Sequence, residues 1–395
     1  MKNKPLRLAV VGGNRGATFN KVLDALKSKV ILTAICDISK ERVDEWLKQY
    51  PDIKGFTNYN DLLEKGECDA VFIATPVEFH VEQAISAMKA GKHVISEVFA
   101  ADTVDDCWKL IETVKKTKLT YMMAENYCFM RPNLMVQNIL DKGLFGQLTY
   151  AEGHYIHDCR HLRLNQDGSL TWRGEFQKKF IGNTYPTHSL GPVAKWLGIG
   201  TTDRMLRTST FVSPAAATPE FVKRNFGAKH PMAKPGSWKG GDSASTIIET
   251  EKGVVINIRV DANSPRPHNM VHYQLQGTKG SYISPRHDFE DPLIWLQDLS
   301  KTEKNGQAPH TWDTLWKWGS RFEHPLWHKY LEIAQSAGHG GGDFFVLMDF
   351  ADAIQKGTKP YIDVYDAAEW SCIVPLSKQS VKSKGKPVPI PDFRK

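Results

Sequence analysis

The sequence predicts an α/β protein in which a doubly wound parallel sheet is followed by an α+β domain with an open, mostly antiparallel sheet. Three observations carry this expectation. Residues 1–124 alternate apolar runs with amphipathic segments across short loops. A glycine cluster, "GGNRG", separates the first apolar run from the first amphipathic segment. After that, residues 125–395 change texture, and long alternating runs follow one another with turn signals between them. The domain division is therefore placed at 1–124 and 125–395.

Taken in order, "LRLAVVG", "VILTAIC", "DAVFIAT", "KHVISE" and "LTYMMA" read as strands, the near-continuous apolar runs of a sheet covered on both faces. Phe19, Val22, Leu23 and Leu26 recur at one helical face after the glycines. Val81, Ala84, Ile85 and Met88 make a second such face, closed by Gly91. Val104, Cys107, Trp108 and Ile111 make a third. Beyond Glu125, "GQLTYAEGHYIH", "ASTIIETEKGVVINIRVDA" and "MVHYQLQGTKGSY" read as strands, with "ETEKGV" and "GTKG" as turns. A polar, Trp-rich connection over 285–342 leads to a helix near "DFFVLMDFADAIQKG". The tail "KPVPIPDF" is too rich in proline for either regular structure.

Bulk composition narrows the class. The chain has 395 residues, 41% apolar and 24% charged, enough to bury a sizeable core in two domains. No apolar run reaches the length of a membrane span, so no membrane partner is expected. The first strand begins almost at once, which leaves no room for a signal peptide. Cys36, Cys68, Cys107, Cys128, Cys159 and Cys372 are scattered, without metal-ligand spacing. Reduced thiols and a cytoplasmic address follow as expectations. The net charge of +7 is spread along the chain and gives no footprint for nucleic acid.

Strand, glycine turn and helix in that order open a Rossmann dinucleotide-binding unit. Gly13 and Gly16 match the second and third fingerprint glycines, which allow close approach of the pyrophosphate and of helix to strand. Val11 stands where the first should be, and the adjacent Gly12 is expected to make the tight turn. Asp37 ends the second strand, 21 residues after Gly16, where an acidic residue binds the ribose hydroxyls. The cofactor expected is NAD rather than NADP. Thr75 and His80, at the carboxyl end of a later strand, are placed to reach it, although a lone His80 is more often a helix-start residue.

At "FIATPVEFHVEQAISAMKAGKHVISEV" the chain resembles the glucose-fructose oxidoreductase / inositol dehydrogenase superfamily, Gfo/Idh/MocA. Ordinary members carry Glu-Lys-Pro, whose lysine assists hydride transfer; here the matching residues are Glu97, Val98 and Phe99. Valine can neither donate a hydrogen bond to a hydroxyl nor polarise it. A narrower match accounts for the loss. "GNRG", "DDCWKLIE", "MMAENYCF", "YPTHSLGPVAKWLGI", "SPRP", "QGTKG" and "VYDAAEWSCIVPLSKQSV" look like the NAD-dependent glycosidases of the α-N-acetylgalactosaminidase type. That resemblance implies an enzyme that hydrolyses a glycoside by transient oxidation while keeping its NAD, with a homo-oligomer as its usual assembly.

Residue by residue, the resemblance assigns Asn14, Arg15, Asp37, the loop from Val77 to His80, Glu97, Val98 and Asn126 to NAD. To the sugar it assigns Tyr155, Arg173, Tyr185 and His188, with Glu125 nearby. His268, in "SPRPHN", stands where the subgroup usually has a substrate-touching tyrosine, so a weaker preference for N-acetylgalactosaminides is expected.

The chemistry implied is acid–base work on a sugar. His188 suits removal of the proton from the 3-hydroxyl, the work of a general base for which histidine is the commonest side chain. Tyr185, three residues earlier, would sit beside it if a helix begins there. Tyr155 is the candidate base at carbon 2, with Arg173 lowering its pKa or holding an amide or sulfonate of the substrate. Without the resemblance, Tyr155 reads only as a strand aromatic. Trp316, Trp318 and Trp327 fit a sugar cleft no better than ordinary packing. His154, His157 and His161 raise the question of a metal, but on a strand the first two point to opposite faces, so none is expected. A sugar dehydrogenase that stops at oxidation shares every one of these residues. A non-catalytic sensor would not need convergent proton-transfer groups.

Overall fold

The computed structural model describes residues 4–267, 271–302 and 310–395. Packing divides the chain differently from the sequence texture. One compact unit joins Met1–Arg131 with Pro325–Cys372 and Arg394; the other comprises Pro132–His324, Ile373–Phe393 and Lys395.

The first unit is built on six parallel strands: β1 (Leu6–Val11), β2 (Val30–Cys36), β3 (Lys54–Phe56), β4 (Ala70–Ile73), β5 (His93–Ser96) and β6 (Tyr121–Met123). Their order, β3-β2-β1-β4-β5-β6, is that of a doubly wound sheet. Leu8, Ala9 and Val10 in β1 and Val71 and Ile73 in β4 are wholly buried, as central strands covered on both faces require. Strand β3 escaped the sequence reading because it is a three-residue edge with no apolar pattern.

The helices follow their expected faces. His80–Lys89 buries Val81, Ala84 and Met88, and Gly91 turns the chain at φ +77°. Val104–Thr117 is capped by Thr103, whose Oγ1 accepts the Asp106 N–H, and it buries Cys107 and Ile111. After the glycine turn the chain makes short helical pieces, Gly13–Gly16, Ala17–Phe19 and Asn20–Ala25, that bury Phe19, Val22 and Leu23. Phe19 meets Phe72 of β4 edge-on at 4.7 Å.

The described residues of the expected connection over 285–342 include two strands of the second sheet, a short helix, Gly319–Phe322, and a longer one, Pro325–Ser336, that belongs to the first unit. Trp327 there is buried and donates Nε1–H to Phe129 O at 2.8 Å, so it is a packing residue. The helix expected near "DFFVLMDFADAIQKG" spans Gly342–Lys356 and carries Phe344, Phe345 and Leu347 into the core.

The second unit holds a nine-stranded sheet: β7 (Leu148–Ile156), β8 (Met205–Val212), β9 (Ser243–Thr250), β10 (Val255–Asp261), β11 (Val271–Gly277), β12 (Gly280–Ile283), β13 (Leu293–Leu296), β14 (Asp313–Thr314) and β15 (Val388–Pro389), in the order β14-β13-β12-β11-β7-β10-β9-β8-β15. All pairings are antiparallel except β7 with β10. The proline-rich tail does form a strand. As β15 it lies at the sheet edge, where proline costs no ladder bond, and Ile390 N–H just beyond it donates to Leu206 O at 2.9 Å.

One face of this sheet is covered by the helix Thr187–Leu197, which packs over β7, β10 and β11. Contact is possible because residue 153 of β7 is glycine. A Cβ there would stand 2.0 Å from Ser189 O, well inside van der Waals contact. On the same face Tyr273 of β11, paired with Gly153, donates its hydroxyl hydrogen to His188 O at 2.5 Å. Gly153→Ala is expected to push the helix off the strand and cost about 1–3 kcal/mol, read as a lowered midpoint of thermal unfolding; an unchanged midpoint would show that the helix yields freely.

Candidate active site

The carboxyl end of the first sheet gathers the residues expected to hold a dinucleotide. Val11 remains in β1, and Gly12 makes the turn at φ +96°. A Cβ on Gly12 would meet Ala74 O at 2.5 Å, so only glycine fits between these two strand ends. Gly16 lets its helical turn rest on Val10, where a Cβ would lie 2.4 Å from Val10 Cγ1. Asp37 accepts Gly13 N–H on Oδ2 at 2.7 Å and Ser39 N–H on Oδ1 at 2.9 Å. Both bonds fix its carboxylate at the glycine turn, where ribose hydroxyls are read.

Asn14 is exposed in this turn, and Arg15 reaches across it. Arg15 Nε donates to Glu97 Oε1 at 2.8 Å, a pair in which the glutamate is almost fully buried. Val98 beside it is also buried. Thr75 turns its hydroxyl to Gln83 Oε1 at 2.7 Å, and Val77 is buried in the next turn. His80 Nδ1 lies 2.9 Å from Phe99 O and its Nε2 2.8 Å from Thr75 O, and the neutral ring has one N–H to donate to these two carbonyls. Burial pushes the imidazole below its usual pKa, against the pull of those carbonyls and Glu97. His80 starts a helix and ties two loops together.

Two further residues complete this end. Glu125 is fully buried and its Oε1 accepts Tyr127 N–H at 3.2 Å. Asn126 donates Nδ2–H to Asp343 Oδ1 at 2.7 Å, while its buried Oδ1 takes no hydrogen bond from any described residue. A buried acceptor without a donor costs free energy unless a ligand satisfies it. This orphan oxygen fits a bound dinucleotide.

The second unit brings together the expected proton-transfer groups. Tyr155 ends β7 on the face covered by the helix Thr187–Leu197, and His188 is the second residue of that helix. Tyr185 precedes the helix rather than lying within it, yet it reaches the same place. The ring centroids are 5.2 Å apart for Tyr155 and Tyr185, 5.2 Å for Tyr155 and His188, and 5.0 Å for Tyr185 and His188. Tyr155 and His188 are each under one-tenth exposed. Asn183, fully buried, fixes the approach: its Oδ1 accepts Tyr185 N–H at 3.3 Å and its Nδ2 reaches Thr246 Oγ1 at 3.2 Å.

Arg173 lies on the helix Trp172–Lys179 with its guanidinium 4.3 Å from the Trp172 ring centroid. Beside it stands a residue the sequence reading missed. Arg163 is buried, and among the described residues its guanidinium donates to Asn263 Oδ1, at 3.3 and 3.2 Å, and to no carboxylate. Burial and then Arg173 push its guanidinium down to about 10, opposed by Cys159 and Tyr155. It stays charged at neutral pH, so the cluster contains a desolvated cation. The only hint in the sequence was an arginine set between Leu162 and Leu164. His268 lies outside the described residues.

The histidines of "EGHYIHDCRH" separate. His154 faces the opposite side of the sheet from Tyr155, within 4.0 Å of Glu152 and 5.6 Å of the His272 ring. Burial lowers it to about 4, with Glu152 opposing. His161 is exposed. Among the described residues no group of three or more His, Cys, Asp or Glu side chains is placed to hold a metal ion. Among the same residues no helix is long and apolar enough to cross a membrane.

Residues 6–125 match the model of the oxidoreductase family with an NAD-binding Rossmann fold. Residues 129–395 match the model of the glycosyl hydrolase 109 C-terminal domain. The chain belongs to glycosyl hydrolase family 109. A family 109 protein of Solibacter usitatus is 34% identical over 99% of this chain and 89% of its own. The alpha-N-acetylgalactosaminidase of Shewanella oneidensis is likewise 34% identical, over 99% of this chain and 86% of its own. Among solved structures, a levoglucosan dehydrogenase in complex with NADH shares the fold, with a TM-score of 0.78 at 20% identity over 98% of this chain and all of that one. The apo scyllo-inositol dehydrogenase of Lactobacillus casei gives 0.70 at 16% identity, over 98% and 99%. This family 109 member is an enzyme, and its cofactor is NAD.

The Asp37 carboxylate, fixed on two backbone N–H groups, repels a 2′-phosphate. NAD is therefore expected to raise the thermal midpoint well above the shift given by the same concentration of NADP. Equal shifts would remove Asp37 from the ribose site.

Proposed function

We propose that this enzyme hydrolyses an N-acetylgalactosaminide or a related glycoside by transient oxidation at carbon 3, elimination across carbons 2 and 1, and addition of water. The observation that carries this reading is the convergence of Tyr155, Tyr185 and His188 beside Arg163 and Arg173, in a member of a glycosidase family. Binding alone does not need three proton-transfer groups at one place. The similarity to the Shewanella oneidensis alpha-N-acetylgalactosaminidase supports the substrate class.

Gly13, Asn14, Arg15, Gly16, Asp37, Thr75, Val77, Glu97, Val98 and Asn126 are the residues assigned to NAD, with His80 supporting their loops. Bound NAD supplies a reversible hydride acceptor for the carbon that bears the 3-hydroxyl. His188 takes the hydroxyl proton, and Tyr185 orients that hydroxyl. Once carbon 3 is a ketone, the hydrogen on carbon 2 is acidic, and Tyr155 removes it so that the aglycone leaves carbon 1. A phenol gives up its own proton more readily beside desolvated guanidinium groups, which is the part given to Arg163 and Arg173. Arg173 also suits the amide of the substrate. Glu125 buttresses the segment that carries Asn126.

The partner proposed besides the glycoside is a second copy of the chain. The surface suited to it is the sheet face away from the helix Thr187–Leu197, where Phe211 and Ile247 are exposed. All six cysteines are buried, which suits a reducing, cytoplasmic setting.

Two variants test the division of labour on chromogenic glycosides, with aglycone release and NADH absorbance read separately. His188→Ala is expected to lower turnover by about 10²–10⁴-fold with NAD affinity unchanged; a near-normal rate would remove it from the mechanism. Tyr155→Phe is expected to stop aglycone release while oxidation at carbon 3 continues. Unchanged release by Tyr155→Phe would reduce Tyr155 to packing.

A further inference from the structure

The segment Ser336–Asp343, "SAGHGGGD", has no part in the reaction described above, yet it is built around charged groups in the first unit. It enters the helix Gly342–Lys356, and Asp343, in that helix's first turn, has no solvent exposure at all. Its two carboxylate oxygens are used by different partners. His339 Nδ1 stands 2.5 Å from Oδ2, and Asn126 Nδ2 donates to Oδ1 at 2.7 Å. The approach of the two segments is tight: a Cβ on Gly342 would lie 2.6 Å from Asn126 O.

This arrangement decides which way the Asn126 carboxamide faces. An amide can present either its NH₂ or its oxygen, and the two are interchangeable by a flip. Because Asp343 accepts only, the NH₂ must face it, and the oxygen must face away. That oxygen is the buried Oδ1 that takes no hydrogen bond from any described residue. NAD offers donors for such an acceptor in its carboxamide and ribose hydroxyls.

The cost of the arrangement is a carboxylate wholly removed from water, and such a charge needs a cation or it takes up a proton. His339 is the cation at hand, and the charged groups around it are Asp343, Arg15 and Glu97. The hydrogen bond to Asp343 holds the imidazole above its usual pKa, against burial and Arg15. As the pH rises through that raised value, His339 loses its charge and Asp343 loses its counter-ion.

We propose that His339 and Asp343 are positioning residues for the cofactor, holding the Asn126 carboxamide so that Oδ1 accepts a hydrogen bond from bound NAD. This rests on the assignment of Asn126 to the NAD site. Neither residue touches the glycoside, and both act through Asn126. Below the raised imidazole pKa the device is intact; above it NAD is held less tightly.

Calorimetric titration of NAD into the cofactor-stripped full chain, from pH 6 to pH 9, tests it. Wild-type affinity is expected to fall several-fold across that range. Asp343→Asn, which can face Asn126 with either end of its own amide, is expected to weaken NAD binding about tenfold at pH 7. His339→Gln keeps a donor but no charge, and it is expected to bind NAD a few-fold more weakly with a flat pH profile. The thermal midpoint of each NAD-free variant is measured alongside. Variants that unfold earlier but bind NAD like wild type, with the wild-type pH profile, would overturn the proposal and leave the pair a purely structural role. If Asp343→Asn does not fold, the His339→Gln profile alone decides. Wild-type protein that fails to bind NAD would overturn the assignment of Asn126 beneath it, and the two failures are thus distinct.

Discussion

The second unit depends on one close approach, the contact between the backbone of Gly153 in β7 and Ser189 in the helix Thr187–Leu197. Helix and sheet can meet there only because no side chain stands between them. The contact brings the first turn of the helix down beside the end of β7, and His188 and Tyr155 come with these elements. Tyr273 and Asn183 then lock the approach from below and from the preceding loop, through His188 O and Tyr185 N. Each candidate group for proton transfer is therefore held by backbone geometry rather than by a flexible loop, which is what a reaction sensitive to sub-ångström placement requires.

The electrostatics of the two units follow a common logic. Arg163 is a buried cation that meets no carboxylate among the described residues, and Asp343 is a buried carboxylate whose counter-ion is a titratable histidine. Neither arrangement is a good way to stabilise a fold, since desolvating a charge costs several kcal/mol or more. In the proposed mechanism Arg163 stands beside the phenol on which negative charge develops. In the proposed cofactor site Asp343 aims an amide. The charge that costs stability in each case lies next to a group whose state matters to chemistry or to the cofactor.

Much of this was legible in the sequence, for reasons that differ by element. Strands β1, β2, β4, β5 and β6 were readable because burial on both faces demands unbroken apolar runs. Strands β3 and β15 were not, because an edge strand can be short, exposed and even proline-rich. The glycine turn was readable from Gly12, Gly13, Gly16 and Asp37, and Gly12 does turn the chain, at φ +96°. His80 read from the sequence as a helix-start residue or a cofactor contact; it does start a helix, but its approaches to Phe99 O and Thr75 O have no sequence pattern. Tyr155, Tyr185 and His188 came from family resemblance. No periodicity relates a strand end to a loop and a helix start 30 residues away. Arg163 and the His339–Asp343 pair carried almost no pattern, because their meaning lies in what surrounds them once the chain has folded.

The central claim is that an acidic hydrogen on carbon 2, created by temporary oxidation of carbon 3, opens the glycosidic bond. Hydrolysis in heavy water, with the product sugar analysed by NMR, tests it most directly. Deuterium on carbon 2 of the released sugar, with no net NADH formed, is the predicted result. Release of the aglycone without deuterium at carbon 2 would contradict the account, as would NADH accumulating in proportion to substrate while the glycosidic bond stays whole.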